Sequence, residues 1–153
     1  MIRYVLAVML AIAMLAVAMP ALDRGATMNT ERTVDSSIAA VDDAATAVAT
    51  EERSPAGHPD PQRVVEVTLP AQSLTTTAVD QFEIVPHENG SFSHARYVLE
   101  DGTTREAVID ERIVWLDPAK TEPIEFDGPG ELQLVLTLHS DMDGEPVVVA
   151  RHP

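Results

Sequence analysis

Histidines and carboxylates are the side chains here that could take part in chemistry, and their spacing decides whether they do. The histidines are His58, His87, His94, His139 and His152. His87 and His94 flank an Asn-Gly pair, so a hairpin there sets His87 opposite Phe92 and His94 opposite Val85. A metal centre needs several convergent ligands, and this pattern gathers none. The stretch HSDMDGE (139–145) has the acids and glycine of part of a calcium loop. With Asp141 and Asp143 at the loop's positions 3 and 5, position 1 is His139 and position 12 is Ala150, where acids are required. The stretch therefore reads as a hairpin turn. Asn89-Gly90-Ser91 is an N-glycosylation sequon on an exposed turn, which makes Asn89 a candidate for modification if the domain is exported. Gly-x-Ser-x-Gly, phosphate-loop and zincin motifs are missing. There is no cysteine, which excludes disulfides, thiolate metal sites and cysteine nucleophiles. The sequence thus nominates no catalytic, metal or cofactor-binding residue, calls for no cofactor and reads as that of a non-enzyme.

Charge narrows the partners. Asp and Glu number 25 against 10 Lys and Arg, and Lys120 is the single lysine. Such a surface repels nucleic-acid phosphates, so no nucleic-acid partner is expected. In dilute salt it also repels itself, and at ~1 M salt, where the Debye length is ~3 Å, that repulsion largely vanishes. Many acids, scarce lysine, few aromatics and much Ala, Val and Thr read as adaptation to brine.

The elements that carry these groups fall into three parts. From Tyr4 to Leu22 the chain is uncharged and mostly apolar, and as a helix it would reach ~29 Å, the thickness of a hydrocarbon core of ~30 Å. Three readings are open for residues 1–22. The segment is a retained transmembrane anchor with the following domain outside the membrane, a signal peptide cut after Ala16-Val17-Ala18, or a buried helix of a soluble protein. The retained anchor fits best, because the apolar run continues through the candidate cleavage site. The bilayer is then its first partner.

Residues 23–53 follow as an amphipathic helix. Val34, Ile38, Val41, Ala45 and Val48 step by 4, 3, 4 and 3 and form one shallow seam, with Asn29 or Thr30 suited to cap its start. The seam packs either on the protein's own β domain or on a partner helix. A Pro-rich linker spans 54–62.

From residue 63 the apolar period becomes two. Asn89-Gly90 and Asp101-Gly102 both favour two-residue hairpin turns. Together they place Phe82 opposite Tyr97, Ile84 opposite Ala95, Glu83 opposite Arg96, and Ala95 opposite Val108. One face then collects Phe82, Ile84, Ala95, Tyr97, Leu99 and Val108. Further strands are expected at Ile113–Leu116, Ile124–Phe126, Leu132–His139 and Pro146–Arg151. The fold class is α+β, with an N-terminal transmembrane helix, a short amphipathic helix and an antiparallel β-sandwich or curled sheet of six to eight strands over 63–153.

An apolar N-terminal helix, an amphipathic helix and a C-terminal β domain together resemble a type IV pilin or pseudopilin. The start MIRYVLAVML, the helix ERTVDSSIAAVDDAA and the ending GEPVVVARHP resemble a family of small, uncharacterised, N-terminally membrane-anchored proteins of haloarchaea. The resemblance implies association with pilus or secretion-type gene clusters, with other pilin-like subunits or assembly-platform proteins as partners. It brings no catalytic residue. Arg3 is followed by Tyr4 where a prepilin has a small residue, and the span lacks the glutamate common near the start of mature bacterial pilins.

Overall fold

The computed structural model describes residues 2–50, 61–88, 90–119, 121–142 and 144–153. Asn89, Lys120, Asp143, His58 and nearly all of the expected linker lie outside them. The two expected helical segments are a single helix, α1 (Ile2–Thr50), of 49 residues, which runs through Pro20. Asn29 and Thr30 therefore do not cap a new helix. Their side chains bond to a loop of the β domain instead.

Eight strands follow in two sheets of four. The first sheet orders β1 (Gln62–Leu69), β7 (Gly130–Ser140), β8 (Pro146–Arg151) and β5 (Ile113–Trp115). The second orders β4 (Thr104–Ile109), β3 (Ser93–Leu99), β2 (Val79–Pro86) and β6 (Ile124–Asp127). Pairing is antiparallel except between β5 and β8, which run parallel. The two sheets share one core, which takes Val67 and Leu136 from the first and Phe82, Ile84 and Tyr97 from the second. A small second cluster of Val114, Val147 and Val149 lies apart from it.

The β2–β3 register is the expected one, with Phe82 opposite Tyr97, Glu83 opposite Arg96 and Ile84 opposite Ala95. The β3–β4 register differs by one residue. Ala95 pairs with Ala107, and Val108 lies opposite His94 and is 56% exposed. Leu99 and Thr103 close a three-residue loop, with Gly102 at φ 83° and the Thr103 amide bonded to Asp101 Oδ1. An Asp-Gly pair serves this loop as well as the two-residue one, because only the glycine must take positive φ. A one-residue slip reverses every facing, so Val108 leaves the core.

The helix lies along the side of the sandwich where the edge strands β1 and β4 would otherwise be open. It packs chiefly on β1 and also reaches β4, β7 and β8. Its side chains serve backbone groups there. Ser37 Oγ accepts from the Thr68 amide at 3.1 Å, and Asp42 Oδ1 accepts from the Asp110 amide at 2.8 Å. Covering an edge in this way satisfies its polar groups and denies it to other strands. Glu31 pairs with Arg105 of β4 at 2.8 Å, and Tyr97 of β3 donates to Asp35 at 3.2 Å.

Strand directions order the two ends of the domain. β1 pairs from Gln62 opposite Thr137 to Leu69 opposite Gly130. The 70–78 loop, the 100–102 loop and the 127–130 turn therefore share the end near Ala26 of the helix. The 87–92 and 140–145 turns share the opposite end.

Candidate functional site

Every residue from Ile2 to Gly25 is exposed, and the first buried helix residue is Ala26. A bare stretch of 24 residues would extend ~36 Å from the domain as a helix. By length and composition it can cross a membrane, and none of its most apolar window is buried. Leaving such a surface in water forgoes ~25 cal/mol per Å² of apolar area. The chain itself covers none of it, so only an environment outside the chain can relieve that cost.

The junction below it is built from small polar side chains. Thr30 is fully buried; its hydroxyl donates to the Thr77 carbonyl at 2.8 Å and accepts from the Thr77 amide at 2.9 Å. Asn29 Nδ2 donates to the Thr75 carbonyl at 3.1 Å, and Thr27 Oγ1 donates to Asp101 Oδ2 at 3.1 Å. Hydrogen bonds from Thr103, joined by the one from Thr27, hold the Asp101 carboxyl below its ordinary value of 3.8. Three helix residues thus grip both loops at this end of the domain. Their positions give a recognisable signal only in retrospect. Ala26, Thr30 and Val34 step by four, which continues the seam backwards in small residues.

The seam itself is not a partner interface. Val34, Val41, Ala45 and Val48 are 0% exposed and Ile38 is 3% exposed, all within the shared core. Their occupant is the β domain, because the gap between β1 and β4 leaves room for a helix and needs apolar filling. The sequon asparagine, Asn89, lies outside the described residues.

The other chemistry-bearing groups are dispersed. His87 stacks on Phe92 at 4.5 Å, and His94 meets the edge of the same ring at 5.2 Å. His152 lies against Trp115 at 4.9 Å, on the far side of the sandwich from the helix. His139 is exposed on β7. Among the described residues, no group of three or more His, Cys, Asp and Glu is placed to hold a metal. Asp141 holds a hairpin turn, accepting from the Glu145 amide at 3.0 Å, and also bonds Arg112 at 3.5 Å. Glu111 is pushed above the ordinary carboxylate range by burial and by Asp110 and Asp42. The Glu83–Arg96 ion pair lies across β2 and β3.

The molecule is thus an α+β protein, two four-stranded sheets carried on a helix whose bare half is long and apolar enough to span a bilayer. The chain belongs to the family described as "Domain of unknown function (DUF7311)", whose model matches residues 1–153. No curated protein and no solved structure matches it.

Proposed function

We propose that this is a non-enzymatic, single-pass membrane protein with its acidic domain outside the membrane, serving as a pilin-like or accessory component of a haloarchaeal pilus or secretion-type apparatus. The observation that carries the reading is the division of one helix. Its front half, through Gly25, is wholly exposed, and its back half, from Ala26, is part of the domain core. A subunit built this way can rest in lipid and later exchange lipid for neighbouring helices without refolding. Ala7 and Ala11, one turn apart, would permit close helix approach. The charge of −15 suits a domain held in concentrated salt.

The test is Ala11→Arg. A cation at mid-span costs about 2.5–3.5 kcal/mol on insertion scales. The expected result is loss of the chain from washed membranes, and unchanged retention would refute the anchor. Single cysteines within residues 4–22 that crosslink to copies or to an assembly platform in cells would support the assembly role.

A second reading is an exported, soluble binding module cut after Ala18. It keeps a place because residues 2–25 contribute no buried side chain, so cleavage there would leave the core whole. The intact mass of the native protein separates the two.

A further inference from the structure

Leu74 is 93% exposed, more than any other large apolar side chain among the described residues. It sits at the tip of the 70–78 loop between β1 and β2. That loop lies at the helix-exit end of the domain, and Leu74 lines one crevice together with Met19 and Leu22 of the apolar span. Leu22 is the last residue before Asp23 and Arg24, where an uncharged span would meet the headgroups. Leu74 therefore stands at the level of the bilayer surface if the helix spans it.

Two further features fit this position. First, residues 69–79, Leu-Pro-Ala-Gln-Ser-Leu-Thr-Thr-Thr-Ala-Val, carry no charge, in a chain that is 23% charged. Second, the loop meets much of its own backbone hydrogen-bonding demand. The Ser73 amide bonds the Thr76 carbonyl at 2.9 Å, and the Val79 amide bonds the Pro70 carbonyl at 3.0 Å. Ser73 Oγ accepts from the Thr75 amide, Gln72 Oε1 accepts from the Ala78 amide, and Thr76 Oγ1 donates to the Ala71 carbonyl. Thr30 and Asn29 satisfy the carbonyls and amide at Thr77 and Thr75. Backbone groups left without hydrogen-bond partners are what keep loops out of lipid. A loop that closes many of its own bonds, carries no charge and presents a leucine lowers that cost.

We propose that the 70–78 loop is a second membrane contact, with Leu74 inserted among lipid headgroups and upper acyl chains beside the emerging helix. The inference rests on the anchored reading of residues 4–22. Its consequence is a fixed tilt. The helix supplies one point of attachment and the loop a second, and the bonds from Thr27, Asn29 and Thr30 keep the two in register. The domain then stands flush on the bilayer, and its 87–92 and 140–145 turns face away from it.

The chain has no cysteine, so single-cysteine variants report cleanly. Leu74→Cys, Leu10→Cys and Met142→Cys are made in the full chain and labelled with an environment-sensitive fluorophore. Each is reconstituted into phosphatidylcholine vesicles with or without nitroxide-bearing lipids. Met142 is 86% exposed at the far end of the domain, and Leu74 is more exposed still, so neither change disturbs packing. The expected result is a blue shift at position 74 and quenching by nitroxides near the headgroup several-fold stronger than at position 142. Position 10 should be quenched by nitroxides deep in the acyl region. A label at 74 as water-like as that at 142, with position 10 in lipid, overturns the loop contact alone. A water-like label at position 10 overturns the anchor and the loop contact together. A blue shift at 74 that lipid nitroxides do not quench, and that fades as protein is diluted with vesicles, assigns the loop to a protein neighbour and also overturns the proposal.

Discussion

Ile38→Ala tests whether the helix seam is structural core or an interface held for a partner. The substitution removes three carbons from a side chain that is 3% exposed. At ~0.8 kcal/mol per buried CH₂ the transfer loss is about 2.4 kcal/mol. The cavity left between the helix and β1 adds to it, and comparable Ile-to-Ala changes in cores cost about 2–5 kcal/mol. An expected cost of about 3.5 kcal/mol, divided by a urea m value of ~2 kcal/mol per M, lowers the midpoint by about 1.5–2 M. The assay is urea unfolding of the full chain in detergent micelles, followed by fluorescence of Trp115, the single tryptophan. Trp115 is on the opposite side of the sandwich, near Phe126 at 6.3 Å, so it reports loss of the whole core. Ile12→Ala is the matched control, the same change on the same helix at a position 61% exposed, and should leave the midpoint within error. A shift below about 0.5 M for Ile38→Ala, or an unchanged midpoint with an altered oligomer mass, would mean the seam does not hold the domain together.

Three other outcomes follow from single contacts. Thr30→Val keeps the shape but orphans the buried Thr77 amide and carbonyl, at about 2–4 kcal/mol for the two, and amide hydrogen exchange at Thr77 should accelerate accordingly. Gly102→Ala meets no atom within 4 Å but sits at φ +83°, so the cost is conformational only, about 1–2 kcal/mol by thermal unfolding. Burial, then the Asp35 carboxylate, pushes the Tyr97 phenol well above its ordinary 10.0. Above that pH the unfolded chain releases a proton that the native chain keeps, so stability is full below pH 10 and declines as pH rises further. In a Tyr4→Phe background, tyrosinate absorbance should appear only as the fold is lost, and reversible titration near pH 10 in the folded protein would contradict the burial.

The β2–β3 hairpin was legible in the sequence because its register follows from one Asn-Gly pair and is checked by the apolar face it creates. The β3–β4 hairpin was not, because Asp101-Gly102 fits loops of two or three residues, and alternation around Val108 does not choose between them. What decides is Asp101 Oδ1 accepting from the Thr103 amide, a bond that draws the third residue into the loop. The seam from Val34 to Val48 was legible as a period, but an apolar stripe does not name what covers it. The sequence suggested a fresh helix start capped by Asn29 or Thr30, whereas the helix runs unbroken through Asp23, Arg24 and Gly25. Thr27 and Thr30 bond a loop 47 or more residues away in sequence, and such long-range contacts override local propensity. The parallel β5–β8 pair left no local signal, since the strands are far apart in sequence. The uncharged run 69–79 was visible in the sequence, and only the strand directions showed that it lies beside the helix exit.

The hydrogen bonds at the junction also fix where the chain can be divided. Upstream of Ala26 the helix adds nothing to the core, so a cut there removes the apolar segment and leaves a whole domain. Downstream, the same helix fills the gap between β1 and β4 with five seam side chains and bonds the Thr68, Thr77 and Asp110 amides. Removing that part would open two sheet edges and empty one side of the core at once, a loss larger than the ~5–15 kcal/mol that typically separates folded from unfolded chains. The apolar segment and the half-helix packed on the β domain are therefore continuous, both within α1. One helix is used twice, and a force or a lipid boundary that positions residues 4–22 is passed to the sheets through the bonds of Thr27, Asn29 and Thr30.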